Sequence, residues 1–378
     1  MLAAEAAILS LGMGAASALA AVPVAAWVAR RTGFLDRPVG HKKHGSPTPY
    51  LGGTAVVLAF FVAAAAFGGG TDRFLPLALG ATGLWAIGTI DDRVNLSAAW
   101  RIGATVVVGF ALWAADLGWN VFSVPGLDLA LTVVWVLGLV NAFNLMDNLD
   151  GAAASVAAAA SVGIGTFAAL NDDAALAAMS FGLVGACLGF LRFNLARPAR
   201  IFLGDGGSMP IGFLVAALAI AAPPVPKLQV TAVLAAALLV GLVILDTTLV
   251  VISRRRRGVS LMTGGRDHLT HRLLVIAKSP RRVAGILAAA QLGLCALALA
   301  GADQGQAALF WISAVAVVAG VATIVRLEGL MDRPQRDRPP APAGQAPAGQ
   351  AAVSRGALDE PATAIGDGSS RRGQRSMS

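Results

Sequence analysis

A chain of 378 residues that is 56% hydrophobic and only 13% charged, with a mean hydropathy of +0.71, is excluded from the water-soluble enzymes. Its net charge of +8 raises nucleic acid as a partner, but the basic residues are grouped between apolar segments, where they report orientation in a membrane, and nucleic-acid binding is set aside. Cys187 and Cys295 both fall inside apolar segments, so buried thiols are expected and not a disulfide framework.

Apolar runs of about 17–25 residues, the length that crosses a bilayer, recur along the chain. They predict an all-α polytopic integral membrane protein with about eleven transmembrane helices. These fall near 3–28, 50–68, 73–90, 98–115, 129–145, 151–170, 174–192, 206–222, 228–252, 282–301 and 306–326. No regular period-2 alternation supports a membrane barrel. The first segment has no basic leader and outlasts a signal core, so it reads as a retained anchor. Basic residues cluster at Arg30–Lys43, Arg192–Arg200 and Arg254–Arg282, after odd-numbered segments, while the intervening connections hold only Arg73 and Lys227. The positive-inside rule places the N-terminus outside and the C-terminus in the cytoplasm.

In chain order, the first connection runs from Asp36 to Gly53 and is broken by Pro38, Pro47, Pro49 and several glycines. It carries His41, Lys42, Lys43 and His44, a composition suited to a phosphate-bearing ligand and equally to a basic loop that only fixes topology. Tyr50 reads as an interfacial anchor. The third segment ends in Asp91-Asp92-Arg93-Val94-Asn95, where two adjacent carboxylates need a divalent cation or a basic neighbour unless they are simply solvated. The fifth ends in Asn141-Ala-Phe-Asn144-Leu-Met-Asp147-Asn-Leu-Asp150-Gly151, whose polar residues recur every three positions and share one face of a continuing helix. Between the seventh and eighth segments lies Gly204-Asp205-Gly206-Gly207-Ser208, where glycines let a ligand approach and Asp205 or Ser208 can cap the next helix. Its N-terminus is then a candidate anion site.

Asp246 lies within the ninth segment, and an intramembrane Asp is a functional candidate by default, with a structural role the other reading. The longest internal connection holds Arg266-Asp267-His268-Leu269-Thr270-His271-Arg272. Its histidines are three apart with no cysteine nearby, which favours phosphate contact or proton handling over zinc. Residues 331–378 are rich in Pro, Ala, Gly and Arg and are expected to be a disordered cytoplasmic tail to a catalytic domain at 1–330. All five polar constellations fall on the side assigned to the cytoplasm. That grouping suits Mg²⁺-assisted chemistry on phosphates; a transporter would place ionisable groups near the bilayer midplane, with Asp246 its best support.

Across residues 30 to 275 the chain resembles the polyprenyl-phosphate N-acetylhexosamine-1-phosphate transferases. The resemblance rests on Asp36…His44…Pro47-x-Pro49…Gly52-Gly53, Asp91-Asp92, Asn141-x-x-Asn144-x-x-Asp147-x-x-Asp150-Gly151 and Gly204-Asp205-x-Gly207-Ser208. The chain departs from the family pattern at Thr270, where a middle histidine is common, and at Asn148, where glycine is frequent. The resemblance implies transfer of a sugar-1-phosphate from a UDP-N-acetylhexosamine, N-acetylglucosamine by preference, to a polyprenyl phosphate with release of UMP. Muramoyl-pentapeptide or another N-acetylhexosamine is the alternative donor. It implies Mg²⁺, with Mn²⁺ as a substitute, held by Asp205 and Asp92. Asp91, Asp92, His268 and His271 become the catalytic candidates. Lys43, His44, Asn144, Asp147, Asp150 and Arg266 become substrate-binding candidates. The expected setting is the cell membrane, multi-pass, with the active site on the cytoplasmic face, and a homodimer is left open.

Overall fold

The computed structural model describes residues 2–36, 47–68, 72–222, 230–260, 265 and 267–331. Among them are thirteen α-helices and one two-stranded sheet. Helix α1 (Ala3–Thr32) stops at Gly33, whose φ of 71° carries the chain out of the helix. Strands β1 (Leu35–Asp36) and β2 (Thr48–Pro49) then pair antiparallel, Leu35 opposite Pro49 and Asp36 opposite Thr48. Next come α2 (Gly52–Phe67), α3 (Phe74–Val94), α4 (Ala98–Ala114), α5 (Pro125–Met146), α6 (Ala152–Leu170), α7 (Ala174–Asn194) and α8 (Asp205–Ala221). The chain continues with α9 (Val230–Leu239), α10 (Gly241–Arg256), α11 (Leu269–Ala277), α12 (Pro280–Asp303) and α13 (Gln306–Met331).

Each of the eleven expected segments coincides with helix, but they are not alike. Among the described residues α1, α3, α5, α6, α7, α12 and α13 are long and apolar enough to cross a membrane. The ninth segment is not one rod: α9 and α10 meet at 81° around Val240, and together they make an eighth candidate. Helices α2, α4 and α8 are shorter apolar helices of 16, 17 and 17 residues. The arrangement is all-α and polytopic.

Helix α8 is the axis of the molecule. Every residue from Gly206 to Ile220 is buried, and α2, α3, α5 and α6 pack around it. The periphery is apolar and uncovered: Phe310, Trp311, Val315, Val317 and Val318 of α13, and Trp100, Val107 and Phe110 of α4, are exposed. Large apolar side chains facing out from an Ala- and Gly-rich interior are what a lipid solvent permits and water does not. Inside, small residues bring backbones together. A methyl on Gly14 of α1 would lie 2.4 Å from the Gly182 carbonyl oxygen of α7, and one on Gly185 would lie 2.1 Å from that of Leu11.

Candidate active site at the α3, α5 and α8 helix ends

Three helix ends meet around Asp205. Asp91 and Asp92 occupy the last turn of α3, which ends at Asn95 in a left-handed conformation (φ 51°). Asp205 is the first residue of α8, and Asp147 is the C-cap of α5. The expected cap of α8 is not its own: neither Asp205 nor Ser208 caps it, and the N-cap is Gly204 with no side-chain bond. Asp92 takes that role from another helix. Its Oδ1 accepts the Asp205 N–H at 2.9 Å and its Oδ2 accepts the Gly206 N–H at 3.0 Å. A carboxylate at a helix N-terminus satisfies orphan donors and is favoured by the dipole, so the anion site foreseen there is filled from within the chain. Gly204 has φ 73° and ψ 173°, a conformation open essentially to glycine alone, and a methyl there would lie 2.6 Å from Asp92 Oδ2.

The other carboxylates face the same space. Asp91 is buried; its Oδ1 accepts the Leu96 N–H at 2.5 Å and its Oδ2 stands 3.2 Å from Arg101 Nη1. Arg101 Nη1 also stands 3.3 Å from Asp205 Oδ2. Asp205 Oδ1 accepts from Asn144 Nδ2 at 2.7 Å, and the same amide reaches Ser208 Oγ at 3.1 Å. Burial, with Asp205, Asp92 and Asp150 close by, pushes the Asp147 carboxyl well above the usual carboxylate range, and a bond from the Gly204 N–H only partly offsets this. Asp91, Asp92, Asp205, Arg101, Asn95, Leu96 and Tyr50 line a cavity of about 230 Å³.

A second cluster brings in the histidines. His268 is the buried N-cap of α11, and its Nδ1 lies 2.9 Å from Asp246 Oδ2. Asp246 Oδ1 accepts the Leu269 N–H at 2.6 Å. A carboxylate acceptor places the proton on Nδ1 and fixes the ring, so Nε2 is the nitrogen turned to the other side. The His271 ring lies edge-on to that of His268, centroids 6.5 Å apart. The two clusters are joined: Thr270 Oγ1 donates to Asn148 Oδ1 at 2.5 Å. The two positions at which the chain departs from the family pattern therefore meet each other. Farther along the same stretch, Gly151 N–H donates to Asn194 Oδ1, and Asn194 Nδ2 donates to the Ile201 carbonyl, tying the start of α6 to the segment that leads into α8.

Of the residues singled out from sequence, Asp91, Asp92, Asn144, Asp147 and Asp205 come together directly, with Asp150 close to Asp147. His268 and His271 belong to the adjoining cluster. Lys43, His44 and Arg266 lie outside the described residues. Sequence reasoning passed over Arg101, and the signal was there: a lone ionisable residue in an otherwise apolar segment is a candidate by default. It offered Asp246 a structural role without naming His268 as the partner, and gave Tyr50 only an anchoring role.

The family model described as glycosyl transferase family 4 matches residues 74–223, the stretch that carries all the acidic residues of the first cluster. The decaprenyl-phosphate N-acetylglucosaminephosphotransferase of Mycolicibacterium smegmatis is 35% identical, the match covering 81% of this chain and 85% of that relative. The chain belongs to glycosyl transferase family 4. The probable undecaprenyl-phosphate N-acetylglucosaminyl 1-phosphate transferase of Bacillus subtilis is 28% identical over 68% of this chain and 75% of its own. The undecaprenyl-phosphate alpha-N-acetylglucosaminyl 1-phosphate transferase of Escherichia coli is 27% identical over 65% and 71%. His268 and His271 lie beyond the residues matched by the family 4 model.

Proposed function

We propose that this protein transfers N-acetylglucosamine-1-phosphate from UDP-N-acetylglucosamine to a polyprenyl phosphate, releasing UMP. The observation that carries the reading is the charge of the centre: Asp91 and Asp205 share the guanidinium of Arg101, and Asp92 and Asp147 stand close to Asp205. Among the described residues the centre holds more carboxylates than cations, and it faces a cavity large enough for a diphosphate. Relatives named for transfer of N-acetylglucosamine phosphate to decaprenyl or undecaprenyl phosphate support the donor and acceptor.

In the reaction, an oxygen of the lipid phosphate attacks the β-phosphorus of the nucleotide sugar, and the bond from that phosphorus to the bridging oxygen breaks, its electron pair leaving with UMP. Asp91 orients the lipid phosphate or accepts its proton. Asn144, Asp147 and Asp150 hold the nucleotide. His268 and His271, with Lys43, His44 and Arg266 from the neighbouring connections, contact phosphate or sugar. Asp246 fixes the His268 ring for that task. Phosphoryl transfer of this type depends on positioning and charge stabilisation, and direct displacement needs no more.

The donor set fits Mg²⁺, with Mn²⁺ as a substitute: it is all oxygen, and among the described residues no three His, Cys, Asp or Glu form a ready cage. That matches an ion bound by one or two carboxylates and completed by substrate phosphates, with Asp205 and Asp92 as its holders; each Asp92 oxygen keeps a lone pair beyond the one given to α8. Bound there, the ion would neutralise charge that builds on the transferring phosphoryl group.

The eleven-crossing arrangement belongs to this proposal, with the N-terminus outside and the site on the cytoplasmic face of the cell membrane, and with residues 331–378 as a tail. Single cysteines introduced as Asn95→Cys and Gln304→Cys should be labelled from opposite sides, the first from the cytoplasm; labelling from one side would undo the topology. The transport reading rested on Asp246, which is instead committed to His268 and Leu269. The deciding assay uses washed membranes, radiolabelled UDP-N-acetylglucosamine and polyprenyl phosphate, with and without Mg²⁺. Metal-dependent lipid-linked label with UMP release is expected. Absence of lipid product with this and other UDP-N-acetylhexosamines would overturn the reading.

A further inference from the structure

A second cavity, of about 440 Å³, opens behind β2 and has the opposite charge. Five guanidinium groups line it: Arg30 from the last turn of α1, Arg192 from the last turn of α7, Arg197 and Arg200 from the segment before α8, and Arg281 from the first turn of α12. No carboxylate is among the described residues that line it. Elsewhere arginines meet acids: Arg73 with Asp173, Arg101 with Asp91 and Asp205, Arg254 and Arg257 with Asp267, Arg256 and Arg272 with Glu328. In this cavity the partners are neutral. Arg197 Nη2 donates to Ser279 Oγ at 2.6 Å and Arg281 Nε to the Leu195 carbonyl at 2.7 Å. Arg30, Arg192 and Arg200 have no side-chain partner among the described residues.

The walls are set by backbone and by buried amide bonds. Arg200 N–H bonds the Phe193 carbonyl, and Asn194 holds the Ile201 carbonyl. Phe202 N–H bonds the Pro49 carbonyl, while Gly52 and Gly53 N–H bond the carbonyls of Phe202 and Leu203. That ladder is the partition between the two cavities, with Thr48 and Pro49 facing the basic one and Tyr50 the acidic one. Like charges gathered in a concave site repel one another unless an anion joins them, and the guanidinium fork matches phosphate oxygens in pairs.

We propose that this cavity is a second anion site, for a phosphate monoester or diester, separate from the acidic centre. Two sources present that chemistry: the headgroup of an acidic phospholipid and a soluble phosphate. Arg30 and Arg192 end apolar helices, which sets the cavity at the depth where headgroups lie and gives the lipid source the better reach.

The test uses the full chain in neutral detergent, titrated separately with dioleoylphosphatidylglycerol, dioleoylphosphatidylcholine and inorganic phosphate. Bound lipid is counted by native mass spectrometry and the melting temperature is followed in parallel. The variants are R192Q/R200Q and R30Q, with R255Q as control, since Arg255 is exposed on α10 away from the cavity lining. Expected is retention of phosphatidylglycerol over phosphatidylcholine by roughly tenfold, lost in R192Q/R200Q and weakened in R30Q but kept in R255Q, a size in keeping with loss of a charge-assisted pair. Stabilisation by inorganic phosphate with no preference between lipids, lost in the same variants, would support the site and name the soluble source. Equal retention by wild type and R192Q/R200Q, or no selective binding of either anion, would overturn it. Should the double variant fail to fold, R192Q and R200Q are read singly by the same criteria.

Discussion

The centre around Asp205 and the cluster between α10, α11 and α13 use the same residue types in opposite proportions. Among the described residues around Asp205, four carboxylates gather near one guanidinium, which pairs with Asp91 and Asp205. In the other cluster, Asp267 is held by Arg254 through two bonds of 2.8 and 3.1 Å and by Arg257 at 2.8 Å, while Glu328 is held by Arg272 at 2.5 Å. The consequence is written in the acids themselves. Burial works to raise Asp267, yet Arg254 holds its carboxyl down at about 2, whereas Asp147, buried with Asp205, Asp92 and Asp150 as its neighbours, is pushed up. A buried acid supplied with its own cation is scaffold. One with no cation beside it among the described residues marks where further positive charge has to be brought in.

This contrast can be broken at either end. The largest effect should come from Asp205→Asn, which leaves the Asn144 contact feasible and removes the charge. Turnover should fall roughly 10³-fold, the scale of a lost electrostatic contact to the reacting group, while membrane insertion survives. Near-normal turnover in washed membranes would remove the metal-holding role. Asp246→Asn sits between the two regimes and should lower kcat roughly 10- to 100-fold with little change in KM, as loss of a group that orients a ligand does. Substantial recovery in Asp246→Glu, together with a shifted pH profile in the Asn variant, would separate positioning of His268 from simple destabilisation.

Asp267→Asn tests the scaffold side and should read out in stability. Breaking a buried pair by removing one partner costs about 3 kcal/mol. The sign with pH follows from a folded pKa of about 2 against an ordinary 3.8: the contribution is full above about pH 4 and fades as pH falls toward 2. The melting difference between wild type and Asp267→Asn should therefore be largest near neutrality and close in acid. A difference independent of pH would assign the effect to packing. The smallest effect should come from truncation after Arg333, with activity within about twofold of the full chain, as expected for a segment too poor in apolar residues to add a core. An inactive truncated protein would make the tail more than a tether.

The helices themselves were legible because a bilayer demands long apolar runs, and their extents on either side of Asp91, Asn144 and Asp205 follow directly. The break at Val240 was not, since the apolar run from 228 to 252 continues through it and no proline marks the bend. Asp91, Asp92, Asn144 and Asp147 could be named from sequence because each sits where an apolar run ends, and Asp205 because it sits where one begins. Their joint geometry could not. Asp92 capping a helix 113 residues away, and Asp246 meeting His268 across 22 residues, are tertiary facts without a local signature. Arg101 could have been picked out as a single cation in an apolar segment, but not its partners, which come from two other helices.

The first turn of α8, which carries Asp205, is packed main chain against main chain. A methyl on Gly53 would lie 2.2 Å from Gly207 Cα, and one on Gly88 would lie 2.3 Å from the Asp205 carbonyl oxygen, so α2 and α3 press on the first turn of α8 with nothing between. Any side chain added at Gly53 or Gly88 would have to shift the backbone that aims Asp205, so neither position can drift without disturbing the centre it supports.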